Sequence, residues 1–164
     1  MLSVDESSSG PFAGERGRGC LRVFSDGRVV VAHWSRSGPV LIEKATGNES
    51  RAEATDSREH KLEEYEAAGL EDFLRSRAVQ RLPESLKPPH RPIDFFETTV
   101  VNIPAQKGKP KQITTREYYV ASLEEKSRYP PALIVLMEQI EEIERDVEQH
   151  GKPADPPTDC NLSK

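Results

Sequence analysis

The sequence predicts an α+β domain: an antiparallel sheet of about four strands with two amphipathic helices packed on one face. Three observations carry that prediction. Two β-rich runs, Cys20–Trp34 and Asp94–Glu117, each contain a turn or loop signal near their middle. Two stretches, Glu59–Val79 and Pro130–Val147, repeat apolar residues at helical spacing. Proline-rich sequence, Lys87-Pro88-Pro89-His90-Arg91-Pro92, separates the first hairpin and helix from the second hairpin and helix.

Taken in order, the segment Cys20 to Trp34 is dense in β-branched and aromatic residues. Its Asp26-Gly27 pair supplies the positive φ of a tight primed hairpin turn. Residues 35–58 hold one apolar patch, Val40-Leu41-Ile42, in otherwise polar sequence, which suggests a short strand followed by a flexible excursion with a mobile tip. From Glu59 to Val79, the residues Leu62, Tyr65, Gly69, Leu70, Phe73, Leu74 and Ala78 share one helical face, interrupted by Glu66. That helix stops near Arg81-Leu82-Pro83, and the prolines that follow, which cannot donate to a ladder, make an extended connector. Asp94 to Ile103 reads as a strand, and Lys111 to Glu117 as its hairpin partner after the loop at Gly108. One of Phe95 and Phe96 is expected in the core, because successive residues of a strand face opposite ways. Pro130-Pro131 opens the second helix, where missing N–H groups cost nothing. Leu133, Leu136, Met137, Ile140, Ile143 and Val147 mark its buried stripe, and Gly151 ends it.

These elements are expected to form a single domain over residues 1–150, with a flexible insertion around 36–58 and a disordered C-terminal tail at 151–164. The chain has 164 residues, 13 prolines, 35% hydrophobic residues and a mean hydropathy of -0.68, which suits a folded core of roughly 100–120 residues. Met1 to Glu15 holds no apolar run of signal-peptide length, and no later run reaches the roughly 20 residues of a membrane span. A cytoplasmic, soluble, monomeric protein is expected. Cys20 and Cys160 share no motif, so two free thiols are expected in preference to a disulfide or a metal pair. A net charge of -5 argues against binding nucleic acid, and Lys107, Lys109 and Lys111 read as a solvated basic loop.

Catalytic chemistry has little to stand on. The four histidines, His33, His60, His90 and His150, include no pair at the i, i+4 spacing that places two metal ligands on one helix face. Each is expected to be structural or solvent-exposed. The acidic runs Glu63-Glu64, Glu124-Glu125 and Glu141-Glu142-Glu144 fall on polar helix faces or in loops, where solvated carboxylates keep similar pKa values and do not divide acid and base roles. No nucleophile elbow or phosphate loop is present, and the glycines of Gly14-Glu15-Arg16-Gly17-Arg18-Gly19 precede no helix that could hold a phosphate. The reading is of a protein with no catalytic residues, no metal and no cofactor.

Five short motifs, in order, resemble those of emfourin, a small proteinaceous inhibitor of thermolysin-like zinc metalloproteases, and its relatives. They are Ser9-Gly10-Pro11-Phe12-Ala13-Gly14, similar to the family's Ser-Gly-Gly-Phe-Ala-Gly; Leu21 to Gly27 with its Asp-Gly turn; the Leu-Pro helix end at Leu70 to Pro83; Asp94-Phe95-Phe96; and Pro130-Pro131-Ala132-Leu133. Pro11 stands where the signature has its second glycine. The likeness covers roughly residues 2–147, apart from insertions around 36–58 and 104–128. It implies a non-enzymatic inhibitor or regulator whose partner is a thermolysin-like metalloprotease. Ser9, Gly10, Pro11, Phe12, Ala13 and Gly14 would lie in the protease cleft, with Phe12 in the pocket for large apolar side chains. Two alternatives stay open: a protein interaction module with no protease target, and a Phe12 that packs on its own sheet.

Overall fold

A row of cross-strand partners, Ile113–Val101–Val4–Leu21–Val31, runs through five neighbouring strands and forms the floor of the core. The structure, a computed structural model, describes residues 2–9, 16–42, 49–86, 96–104, 109–116, 118 and 122–160. Its strands are β1 (Leu2–Ser9), β2 (Arg16–Val23), β3 (Arg28–Ile42), β4 (Glu49–Lys61), β5 (Ser85–Leu86), β6 (Phe96–Ile103), β7 (Lys111–Arg116) and β8 (Lys152–Pro153). They make one sheet in the order β5-β7-β6-β1-β2-β3-β4-β8. All pairs are antiparallel except β5 with β7, which is parallel. The helices are α1 (Glu64–Arg75), α2 (Arg77–Gln80), α3 (Leu123–Lys126) and α4 (Pro131–His150).

The expected four-stranded antiparallel sheet with two helices is therefore corrected, among the described residues, to an eight-stranded mixed sheet with four helices. The missing strands have a common physical cause. Sequences such as Ser3-Val4-Asp5-Glu6-Ser7 in β1 and Thr55-Asp56-Ser57-Arg58-Glu59 in β4 carry few apolar side chains, so alternation gives no signal, yet their backbone groups complete the ladders.

The segment expected as a flexible insertion is instead mostly β3 and β4, paired from Arg28↔Lys61 to Ile42↔Glu49. Its register shifts between Ser37 and Leu41, where Gly38-Pro39 interrupts the sequence and proline offers no N–H. The tip, 43–48, lies outside the described residues, as do the proline connector with Asp94 and Phe95, at 87–95, and the loop at 105–108.

The turn between β2 and β3 also departs from the two-residue primed form. The Gly27 N–H donates to the Phe24 carbonyl at 3.1 Å and the Phe24 N–H to the Arg28 carbonyl at 2.8 Å. Gly27 holds φ 80°, the left-handed residue of a turn that ends in a bulge. The first helix starts later than its apolar pattern suggests, because Glu59–Lys61 belong to β4 and the Leu62 N–H is drawn to the Gly27 carbonyl at 3.0 Å.

Helix α4 lays Leu133, Leu136, Met137, Ile140, Ile143 and Val147 on the sheet, and Leu70 and Leu74 of α1 join the same cluster. Each such burial is worth roughly 1.5–3 kcal/mol, which is what fixes the helices to this face. No helix among the described residues is long and apolar enough to cross a membrane.

The tail expected to be disordered is ordered through Cys160. After Gly151 the chain pairs as β8 with the edge of β4, and the Ala154 N–H donates to the Ser57 carbonyl at 3.0 Å. It then crosses the face opposite the helices to a disulfide between Cys160 and Cys20, with Cα atoms 5.9 Å apart. This overturns the expectation of two free thiols. Sequence spacing carries no hint of a partner 140 residues away that a folded-back tail brings across the sheet.

Candidate functional site

The β1–β2 ladder continues without a break to Ser9↔Arg16, and β1 also pairs Ser9 with Phe96 of β6. Of the six predicted site residues, Ser9 is thus the last residue of an interior strand. Gly10, Pro11, Phe12, Ala13 and Gly14 lie outside the described residues. By connectivity, residues 10–15 join the two central strands of the sheet at this end.

Between the apolar core and that end of the hairpin, the helix-covered face of the sheet turns polar. The next row of partners is Thr115–Thr99–Glu6–Gly19–His33–Asp56. Thr99 and Thr115 are fully buried, and Glu97, one step further along β6, is buried with its carboxylate 3.5 Å from the Thr99 hydroxyl that donates to it. Gly19 has no side chain between Glu6 and His33, and a Cβ there would stand 3.3 Å from Glu6 Oε2 and 3.5 Å from His33 Nδ1. The glycine lets the two ionisable groups converge over β2.

Helix α4 brings more carboxylates down onto this row. His33 Nε2 is 3.5 Å from Glu148 Oε1, and a small cleft of 230 Å3 beside them is lined by Val31, His33, Asp56, Arg58, Val147 and Glu148. Burial, with the negative charges of Glu6, Glu148 and Glu141, pushes the Glu144 carboxyl up to about 8. At neutral pH, Glu144 therefore holds its proton and is a hydrogen-bond donor. A second bridge ties the end of α4 to the sheet, since Asp146 faces His60 Nε2 at 3.0 Å and His150 Nδ1 at 2.8 Å.

One expectation changes here. Glu144 is no solvated residue of an acidic run. It stands four positions after Ile140 and three before Val147, inside the buried stripe, and that spacing was the signal available in the sequence. The histidines that read as separate residues converge on one helix, His33 and His60 from neighbouring strands and His150 from α4 itself, because strand pairing is invisible to linear spacing. His90 lies outside the described residues.

Chemically, this end of the domain can store a proton and bind α4 to β3 and β4 through ionisable contacts. Among the described residues, no group of three or more His, Cys, Asp or Glu is arranged to hold a metal ion. A groove of 470 Å3 lies elsewhere, between α1 and α4, with Leu70 and Ile143 bordered by Glu66, Glu142 and Arg145. Comparison of the chain with protein-family models, with curated proteins and with solved structures found no match in any of the three.

Proposed function

We propose that the protein is a non-enzymatic inhibitor or inhibitor-like regulator of a zinc metalloprotease, acting through Ser9–Gly14. One observation supports the reading most: the residues that carry the inhibitor-like motif join β1 and β2 directly, and both strands are interior, flanked by β6 and β3. A segment anchored at both ends in the centre of a sheet loses less conformational freedom on entering a cleft than one on a free tail, so more of its contact energy remains as affinity. Phe12 supplies the apolar anchor, and the backbone around it supplies hydrogen bonds in extended pairing with the protease.

The test is titration of the full chain against thermolysin acting on a peptide substrate, with zinc and calcium in excess so that chelation cannot imitate inhibition. Stoichiometric loss of activity is expected. No inhibition at high micromolar concentration, either of thermolysin or of a metalloprotease produced by the same organism, overturns the reading and leaves an interaction module with a different partner.

A further inference from the structure

The segment after α4 lies on the face of the sheet opposite the helices, and its fastenings among the described residues can be named. At the edge, Lys152 and Pro153 pair with Glu59 and Arg58, and the Ala154 N–H reaches the Ser57 carbonyl. From there the chain follows a cross-strand row, Ser57–Ala32–Cys20, over β4, β3 and β2. At its far end, Asp159 accepts from Arg22 Nε at 2.9 Å, and Cys160 is bonded to Cys20. Arg22 is 3% exposed and is also held by Asp5 at 2.7 Å and by the Val4 and Leu21 carbonyls, each at 3.0 Å. Its position therefore does not depend on the tail. The large apolar core is on the other face, between sheet and helices.

We infer that residues 152–160 form a redox-releasable strap, closed by the Cys20–Cys160 disulfide and opened by a small thiol reductant without unfolding the domain. The chemistry is ordinary thiol–disulfide exchange. A thiolate of the reductant attacks Cys160 Sγ, the more accessible sulfur, since Cys160 is partly exposed and Cys20 is 3% exposed. A new bond forms between reductant and Cys160, the Cys20–Cys160 bond breaks, and Cys20 leaves as a thiolate that takes up a proton. A second reductant thiolate then attacks the reductant's sulfur in the mixed disulfide, the bond to Cys160 breaks and Cys160 leaves as a thiolate that takes up a proton, so two electrons pass from two thiols to the cysteine pair and the reductant is released as its own disulfide.

Arg18 and Arg22 flank Cys20 two residues to either side on one face of β2, and Asp5, its cross-strand partner, pairs with Arg22. Once the bond is open, the fastenings left among the described residues are a two-residue ladder, one further backbone bond, the Arg22–Asp159 pair and a 3.5 Å hydrogen bond from Arg22 Nη2 to the Asp159 carbonyl. Asp159 is 60% exposed, and an ion pair of that kind holds a chain end weakly. Opening bares Cys20 and Ala32, the small buried cluster against which Trp34 and Cys160 pack.

The experiment is amide hydrogen exchange on the full chain in three states: incubated with oxidised glutathione, reduced with dithiothreitol, and carrying Cys160→Ser. Iodoacetamide alkylation runs in parallel. In the oxidised state neither cysteine should alkylate, and the Ala154 amide should be protected. Reduction and Cys160→Ser should each speed exchange at Ala154 and Cys160 (or its serine) by about tenfold or more, leaving Val101 and Leu136 unchanged, as expected for local opening. Reoxidation should restore protection in the unsubstituted chain alone. The inference fails if Ala154 stays protected after reduction, if Val101 and Leu136 lose protection together with it, or if both cysteines alkylate after oxidised glutathione.

Discussion

Replacing Glu144 with Gln should stabilise the protein at alkaline pH and do so less at pH 5. The carboxyl titrates near 4.5 in an unfolded chain and near 8 in the folded one, through burial first and then the charges of Glu6, Glu148 and Glu141. Between those values the folded state binds a proton that the unfolded state has lost. Stability therefore falls as pH rises through this window, and the whole penalty is present above pH 8. Taken at face value, the two pKa values correspond to a ceiling of about 5 kcal/mol. Glu144 is only partly buried, so water relieves a good share of that, and about 2 kcal/mol is the working expectation.

Glutamine has nearly the shape of the protonated acid and cannot ionise, so Glu144→Gln removes the penalty and keeps the packing. Urea unfolding of both proteins at pH 5, 7 and 8.5 gives the difference directly, because the other ionisable groups are common to both proteins and cancel to first order. The expected gain is below about 1 kcal/mol at pH 5 and about 2 kcal/mol at pH 8.5, the latter a rise in melting temperature of about 4–8 °C. Glu6→Gln removes one of the repelling charges and should shrink the pH dependence without abolishing it. A Glu144→Gln effect independent of pH, or one larger at pH 5 than at pH 8.5, would show that the carboxyl is ionised in the folded protein and refute the argument.

Leu136, fully buried at the centre of the α4 stripe, should cost about 2–5 kcal/mol when cut to Ala, read as a lower urea midpoint. Gly27→Ala places a side chain at φ 80° and should cost about 1–2 kcal/mol in the same assay, whereas Gly69→Ala, on an exposed stretch of α1 with no atom near the new methyl, should be neutral or stabilising. Phe12→Ala should weaken inhibition of a sensitive metalloprotease by on the order of 2 kcal/mol or more, about 30-fold in inhibition constant, without moving the melting temperature. A melting temperature that drops with unchanged inhibition would instead place the ring in the protein's own core.

The parts of this fold that announce themselves in the sequence are those whose side chains do the stabilising. Leu21, Val23 and the run Val29–Ala32 stand out because β2 and β3 bury their side chains, and Leu133 to Val147 repeat at helical spacing because α4 buries a stripe. Strand β4, and β1 beyond Val4, form for a different reason. In β4, residues 56–61 hold only Asp, Ser, Arg, Glu, His and Lys, and what sustains them is pairing with the long β3 on one side and, at Arg58 and Glu59, with the returning tail on the other. A strand sustained by its neighbours' backbone has no pattern of its own to read, which is why the sheet looked half its size from sequence.

The same distinction governs the candidate site. Cross-strand rows place Glu6, Gly19 and His33 side by side from positions 6, 19 and 33, and α4 adds residues beyond 140, so no local window contains the cluster. Only Glu144 left a trace, as an acid at a core position of an amphipathic helix. A carboxyl placed there costs stability that Gln or Leu would not, and its proton is held at the polar end of the sheet from which residues 10–15 leave β1. If Ser9–Gly14 is the part that meets a protease, ionisation of Glu144 changes the charge beneath its anchoring strands. The pH series on Glu144→Gln can then be repeated with inhibition as the readout: a pH-dependent difference in inhibition would couple the cluster to the loop, and parallel curves would confine its effect to stability.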